Sequence, residues 1–198
     1  NLKAIPGIAD LKLKTIKESW LEHKAIRDVM IFLQGYGIST LFAVKIYKAY
    51  GDRAISLVSQ NPYRLAKDIY GIGFFSADKI ALALGFDREG DPRIEAGIRH
   101  VLASAREEGH CYLKSEQVKE KTLALLEMDA GDRIANVLKK LLISKEILER
   151  NLVSEEGHSF SAYYSKSLYY DELYVAERIQ EWASEKVSVD LSRMVSWL

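Results

Sequence analysis

Along residues 1–90 apolar positions fall at helical spacing, and glycines interrupt them at a regular interval. The run Gly71-Ile72-Gly73-Phe74-Phe75-Ser76-Ala77-Asp78-Lys79-Ile80 aligns without a gap with Gly37-Ile38-Ser39-Thr40-Leu41-Phe42-Ala43-Val44-Lys45-Ile46. Gly, Ile, Ala, Lys and Ile are shared in step, and Gly85 and Gly51 also coincide, so the period is 34 residues. A third copy opens the chain at Gly7-Ile8-Ala9 and keeps the Gly-Ile pair and the closing Ile16.

Each copy predicts a helix, a tight glycine turn and a second helix. Before the last turn, Asn61-Pro62 supplies a cap residue and a proline at the first helical position of a helix through Ile69. The leading helix of the middle copy is Ala25 to Gln34, and that of the first copy is missing. Glycine at the turn suits a positive φ and a close approach of another molecule. In the second helices Ala77 and Ile80, like Ala43 and Ile46, share one face, and Gly85 or Gly51 ends the helix. The copies differ at the second turn glycine, which is Gly73 in the last, Ser39 in the middle and Ala9 in the first.

Beyond residue 91 the repeat is lost. Asp91-Pro92 opens a helix whose stripe is Ile94, Ile98, Val101, Leu102 and Ala105, ended by Gly109. His110 to Leu113 reads as extended, Ser115 as the cap of a helix to about Leu126, and Asp132 as the cap of another through Leu142. Ile147 to Val153 and His158 to Tyr164 read as two strands, with Phe160, Ala162 and Tyr164 alternating against polar neighbours. A last helix is expected from Asp171 to about Glu185. The fold class expected is mainly α: tandem helical hairpins over 1–90, a small winged-helix-like α+β domain over 91–165, and a linker plus final helix over 166–198.

Charge sharpens this division slightly. Net charge is zero, but residues 1–90 hold 13 Lys/Arg against 9 Asp/Glu, leaving the second half acidic. A mildly basic module that faces phosphates, beside an acidic domain, fits that split. No apolar run is long enough for a spanning helix, and the lone Cys111 points to a reducing, cytoplasmic setting. The chain opens on Asn1 rather than Met and closes at Trp197-Leu198, so it is expected to be a piece of a longer protein.

The repeated unit resembles the helix-hairpin-helix motif, most closely at Ile69-Tyr70-Gly71-Ile72-Gly73 followed by Ala77 and Ile80. The resemblance implies that the turn isoleucine plugs the gap between the helices and that turn amides bind a DNA phosphate. Elementary electrostatics agrees: unpaired N–H groups at a helix start, with the positive end of the dipole behind them, favour an anion. The candidate DNA contacts are therefore Gly71, Ile72, Gly73, Phe74, Ser76 and Lys79, with Gly37, Ile38, Ser39, Thr40, Lys45 and Gly7 from the other copies. Contacts of this kind carry no base sequence information.

A wider resemblance covers about Ile5 to Trp182. Asn61-Pro62-Tyr63-Arg64-Leu65, Ile69 to Ile80, Ala96-Gly97-Ile98, Gly109-His110-Cys111-Tyr112-Leu113 and the segment Val29 to Gly51 look like the N-terminal region of RecD-like ATP-dependent DNA helicases, the exodeoxyribonuclease V alpha or RecD/TraA family. It implies a parent that moves 5′ to 3′ on single-stranded DNA in recombination and repair, with ATP and Mg bound only in a motor that would follow Leu198. The partners expected are DNA, single-stranded or at a junction, and that motor. The sequence itself holds no Gly-x-x-x-x-Gly-Lys-Ser/Thr loop, no Gly-x-Ser-x-Gly and no zinc spacing, so no catalytic residue, metal or cofactor is expected here. The competing expectation is a structural or protein-interaction module of the same helicase that touches no DNA. The tyrosines at 163, 164, 169, 170 and 174 are expected in packing rather than base stacking.

Overall fold

The structure is a computed structural model that describes residues 10–37, 39, 41–129 and 131–184. Gly7 and the first turn, Ile38, Thr40 and residues 185–198 lie outside the described residues. The hairpin unit begins with α1, Asp10–Gly35, a single helix of 26 residues. The sequence started the middle copy's leading helix at Ala25. No glycine or proline stands between Asp10 and Gln34, so nothing in the sequence interrupts one continuous helix there.

The rest of the unit is α2 (Leu41–Tyr50), a single 3-10 turn (Gly51–Arg53), α3 (Ala54–Gln60), α4 (Arg64–Asp68) and α5 (Phe74–Ala83). The helix expected from Asn61 is shortened to α4. Asn61 Oδ1 accepts the Tyr63 N–H at 3.1 Å, and the Arg64, Leu65 and Ala66 amides reach back only three residues, to Asn61, Pro62 and Tyr63. This entry is a tight 3-10 turn rather than a full α-helical one.

The second unit follows as α6 (Asp91–Ser104), β1 (Leu113–Lys114), α7 (Ser115–Leu126), α8 (Gly131–Ile143), β2 (Ile147–Val153) and β3 (Ser159–Ser165). The strands form an antiparallel sheet of order β1-β3-β2, with Leu113 opposite Tyr163 and Arg150 opposite Ala162. Helix, short strand, two helices and a hairpin is the winged-helix order that the sequence suggested. At the start of α7 Ser115 is not the cap; Lys114 precedes the helix, and its N–H donates to Gln117 Oε1 at 2.9 Å.

Two further readings change at the end of the chain. β3 does not alternate, because Ala162, Tyr163 and Tyr164 are all buried. Tyr163 joins the main core, while Tyr164 is covered on the other side by Tyr112 and Tyr169, with ring centroids 5.4 and 5.5 Å away. Residues 166–172, read as a linker, are the opening turns of α9, Lys166–Ser184. Ser165 Oγ accepts the Leu168 N–H at 3.4 Å there, and no breaker follows to delay the helix.

One core runs through both units, from Val29 and Leu33 in α1 through Ile80 and Ile94 to Ile147 and Tyr163. A buried ion pair fastens α5 to α6 across the junction at residue 90. Arg93 Nε and Nη2 donate to the two Asp78 carboxylate oxygens at 2.9 and 3.0 Å. The Tyr63 hydroxyl donates to Asp78 at 2.7 Å, and Arg93 Nη1 spends its hydrogens on the Arg88 and Leu126 carbonyls. Both charged residues are 8% exposed, so neither has water to fall back on if its partner is lost. Asp78→Leu is expected to cost about 3–5 kcal/mol in urea unfolding. The double variant Asp78→Leu/Arg93→Met should recover much of that loss, which a double-mutant cycle measures.

Candidate nucleic-acid interface

The corner between α4 and α5 owes its shape to three residues. The Ile72 N–H donates to the Ile69 carbonyl at 3.1 Å, which closes the turn and drives the Ile72 side chain into the core. Gly71 sits at φ +92°, a left-handed conformation that a side chain would strain. Gly73 sits at φ −89°, ψ 178°, extended backbone open to any residue. A Cβ built on Gly73 meets no atom within 4 Å, so the fold gives no steric reason for glycine there.

Behind the corner, the Phe74 ring is buried and lies between Tyr63 and His100, at 6.3 and 5.4 Å with interplanar angles of 17° and 18°. No side chain caps α5, and the first amide with a backbone acceptor is Ala77, bonded to the Gly73 carbonyl at 3.2 Å. The N–H groups of Gly73, Phe74, Phe75 and Ser76 thus have no partner among the described residues, and the α5 dipole points its positive end at them. Tyr70 and Phe75 flank the turn and are 97% and 66% exposed. Neither is among the candidate contacts read from the sequence, although two large aromatics beside a glycine turn were the available signal.

The middle corner differs. Gly37 has φ +68°, and its N–H donates to the Gln34 carbonyl at 2.9 Å. Ser39 replaces the second glycine and turns inward on the helix, with Oγ accepting the Leu41 N–H at 3.3 Å and its carbonyl accepting Phe42. A residue of this chain therefore occupies part of what an anion would use. Ile38, Thr40 and Gly7, also expected at the interface, lie outside the described residues.

Lys45 and Lys79 occupy equivalent repeat positions and cross over between the corners. Lys45 Nζ donates to the Tyr70 carbonyl at 3.2 Å, and Lys79 Nζ donates to the Gly37 carbonyl at 3.1 Å. The two carbonyls are neighbours in the repeat rather than equivalents. Each lysine pins the other hairpin's turn, so the two corners hold each other. Ser76 is half-buried in the first turn of α5.

Beside the corner lies a charged cleft of residues far apart in sequence. Arg99 Nε donates to Glu146 Oε2 at 2.8 Å and Nη2 to Glu95 at 3.3 Å, while Lys67 stands 3.5 Å from Glu146. Burial raises the Glu146 pKa, but Arg99 and Lys67 outweigh it and hold the carboxyl below its usual value. Burial lowers the His100 pKa, and burial together with the bond to Asp78 holds the Tyr63 phenol well above its usual range. On α8, the second helix of the winged unit, Arg133 and Lys140 turn back to Asp91 on α6. The Lys140 contact keeps the Asp91 carboxyl below its usual value. Among the described residues no three His, Cys, Asp or Glu side chains group to hold a metal, and no helix is long and apolar enough to cross a membrane.

If the lysines are turn staples, Lys45→Met and Lys79→Met each lower the unfolding free energy, by about 1 kcal/mol for an exposed charge-assisted bond. Lysines that met DNA alone would leave urea unfolding unchanged.

Residues 22–112 match the family model for the ATP-dependent RecD2 DNA helicase HHH domain, a range that takes in both described corners and α6. The chain is also 27% identical over 117 residues to the ATP-dependent RecD2 DNA helicase of Deinococcus radiodurans. That alignment covers 59% of this chain and 16% of the relative, so the chain spans a small part of the helicase it resembles. Residues 22–112 thus match the helix-hairpin-helix domain of RecD2-type DNA helicases, and the wider chain is similar to a small part of one such helicase.

Proposed function

We propose that this chain binds DNA without sequence preference through the Gly71–Gly73 corner, as part of an ATP-dependent, 5′-to-3′ RecD-like helicase acting in recombination and repair. The observation that carries the reading is the set of unpartnered amides from Gly73 to Ser76, with open space where a Gly73 side chain would stand. A phosphodiester oxygen accepts hydrogen bonds from such amides, and the helix dipole adds attraction. Lys79 and Lys45 keep spare N–H donors beyond their staple bonds and contribute positive potential near the strand. Phe74 and Gly71 act through their backbone amides, Ile72 acts by plugging the turn with its own amide bonded to Ile69, and the Gly37–Ser39 corner is a weaker second contact. ATP and Mg belong to the motor of the parent, whose hydrolysis this chain does not perform, and the parent works in the cytoplasm.

A structural role within the same helicase is the second reading. It is favoured by the engagement of Lys45, Lys79, Arg133 and Lys140 in bonds within the chain. Gly73→Val separates the two. Valine fits an extended φ and its Cβ meets no neighbour, so melting temperature and helix content are expected to stay near wild-type values. Its methyls shield the corner amides, and DNA affinity at low salt falls about tenfold, the worth of roughly one charge-assisted hydrogen bond. Binding that is unchanged in Gly73→Val, or absent in the wild type at low salt, leaves the structural role standing instead.

A further inference from the structure

The cleft beside the corner has a volume of about 500 Å³, within the range of roughly 300–1,000 Å³ typical of small-ligand sites. Gly73 and Phe74 line it from the corner, and His100 and Ala103 line it from α6. Its cations are already neutralised. Arg99 bonds Glu146 and Glu95, Lys67 faces Glu146, and Arg64 lies 3.6 Å from Asp68. A phosphate entering here would meet three carboxylates, so the cleft is poorly made for an anion. It offers instead the His100 ring, backed by the buried Phe74 ring, beside a neutral mixture of donors and acceptors. That combination suits a nucleobase, which has apolar faces and a polar, uncharged edge.

We propose that this cleft takes an unpaired base of a single strand whose adjoining phosphate lies on the Gly73–Ser76 amides. The proposal rests on the corner reading above and adds a separate subsite for a base. Gly73 belongs to both places: its amide is among the unpartnered ones and the residue lines the cleft. A duplex keeps its bases stacked inside and must spend a few kcal/mol to extrude one. The cleft therefore favours single strands over duplex, while the corner alone does not discriminate.

Ala103 is exposed on α6 and lines the cleft, so Ala103→Trp fills the space without touching the corner amides. Fluorescence anisotropy of the whole chain is read with a labelled mixed-sequence single strand and with a blunt duplex, alongside thermal melting. Single-strand affinity is expected to fall about tenfold, the worth of one stacked base, with duplex affinity and melting temperature unchanged. Ala103→Phe, a smaller filler, repeats the test should the tryptophan lower the melting temperature. Equal loss on both DNAs, or no loss on the single strand, overturns the cleft proposal and leaves the corner intact. A wild-type chain that binds neither DNA at low salt overturns both.

Discussion

The start of α5 is held open by what is packed behind it. Phe74 is fixed between Tyr63 and His100, Ile72 is buried, and Asp78 is locked to Arg93 one turn further on. With these side chains committed to the core, the helix cannot slide or rotate to give its first amides an acceptor. Four N–H groups are left without an acceptor among the described residues at the positive end of the dipole. The middle hairpin shows the alternative, where Ser39 turns one oxygen onto its own helix and satisfies part of the demand internally. The same repeat thus yields one open corner and one that Ser39 partly closes.

The two units form one mechanical body. The core passes from α1 to β3 without a gap, and the Asp78–Arg93 pair sits on the junction. This makes the winged unit a buttress for the hairpins. The cations of its second helix, Arg133 and Lys140, are turned toward Asp91, and its tyrosines pack against one another around Tyr164. The cross-over of Lys45 and Lys79 serves the same end within the hairpin unit, tying each turn to the helix of the other copy.

Much of this was legible in the sequence, because it depends on local rules. The 34-residue repeat located the described corners, Asp91-Pro92 located α6, and Ile147 to Val153 located β2. What local rules do not carry was lost. The helix that starts at Asp10 runs on to Gly35 because nothing stops it, and α9 starts at Lys166 because Ser165 caps it. The lysines read as phosphate contacts have a first duty 25 and 42 residues away. Glu146 meets Lys67 across 79 residues, a pairing no spacing argument anticipates. The different reasons for Gly71 and Gly73 also needed φ values, since both glycines look alike in the pattern.

The most direct test of the account is an amide-resolved NMR titration of the chain with short single-stranded and duplex DNA at low salt. The account predicts that the largest shifts fall on the N–H signals of Gly73, Phe74, Phe75 and Ser76, with smaller ones near Gly37 and Ser39. Shifts centred on α8, or none at the α5 start while DNA binds elsewhere, would contradict it.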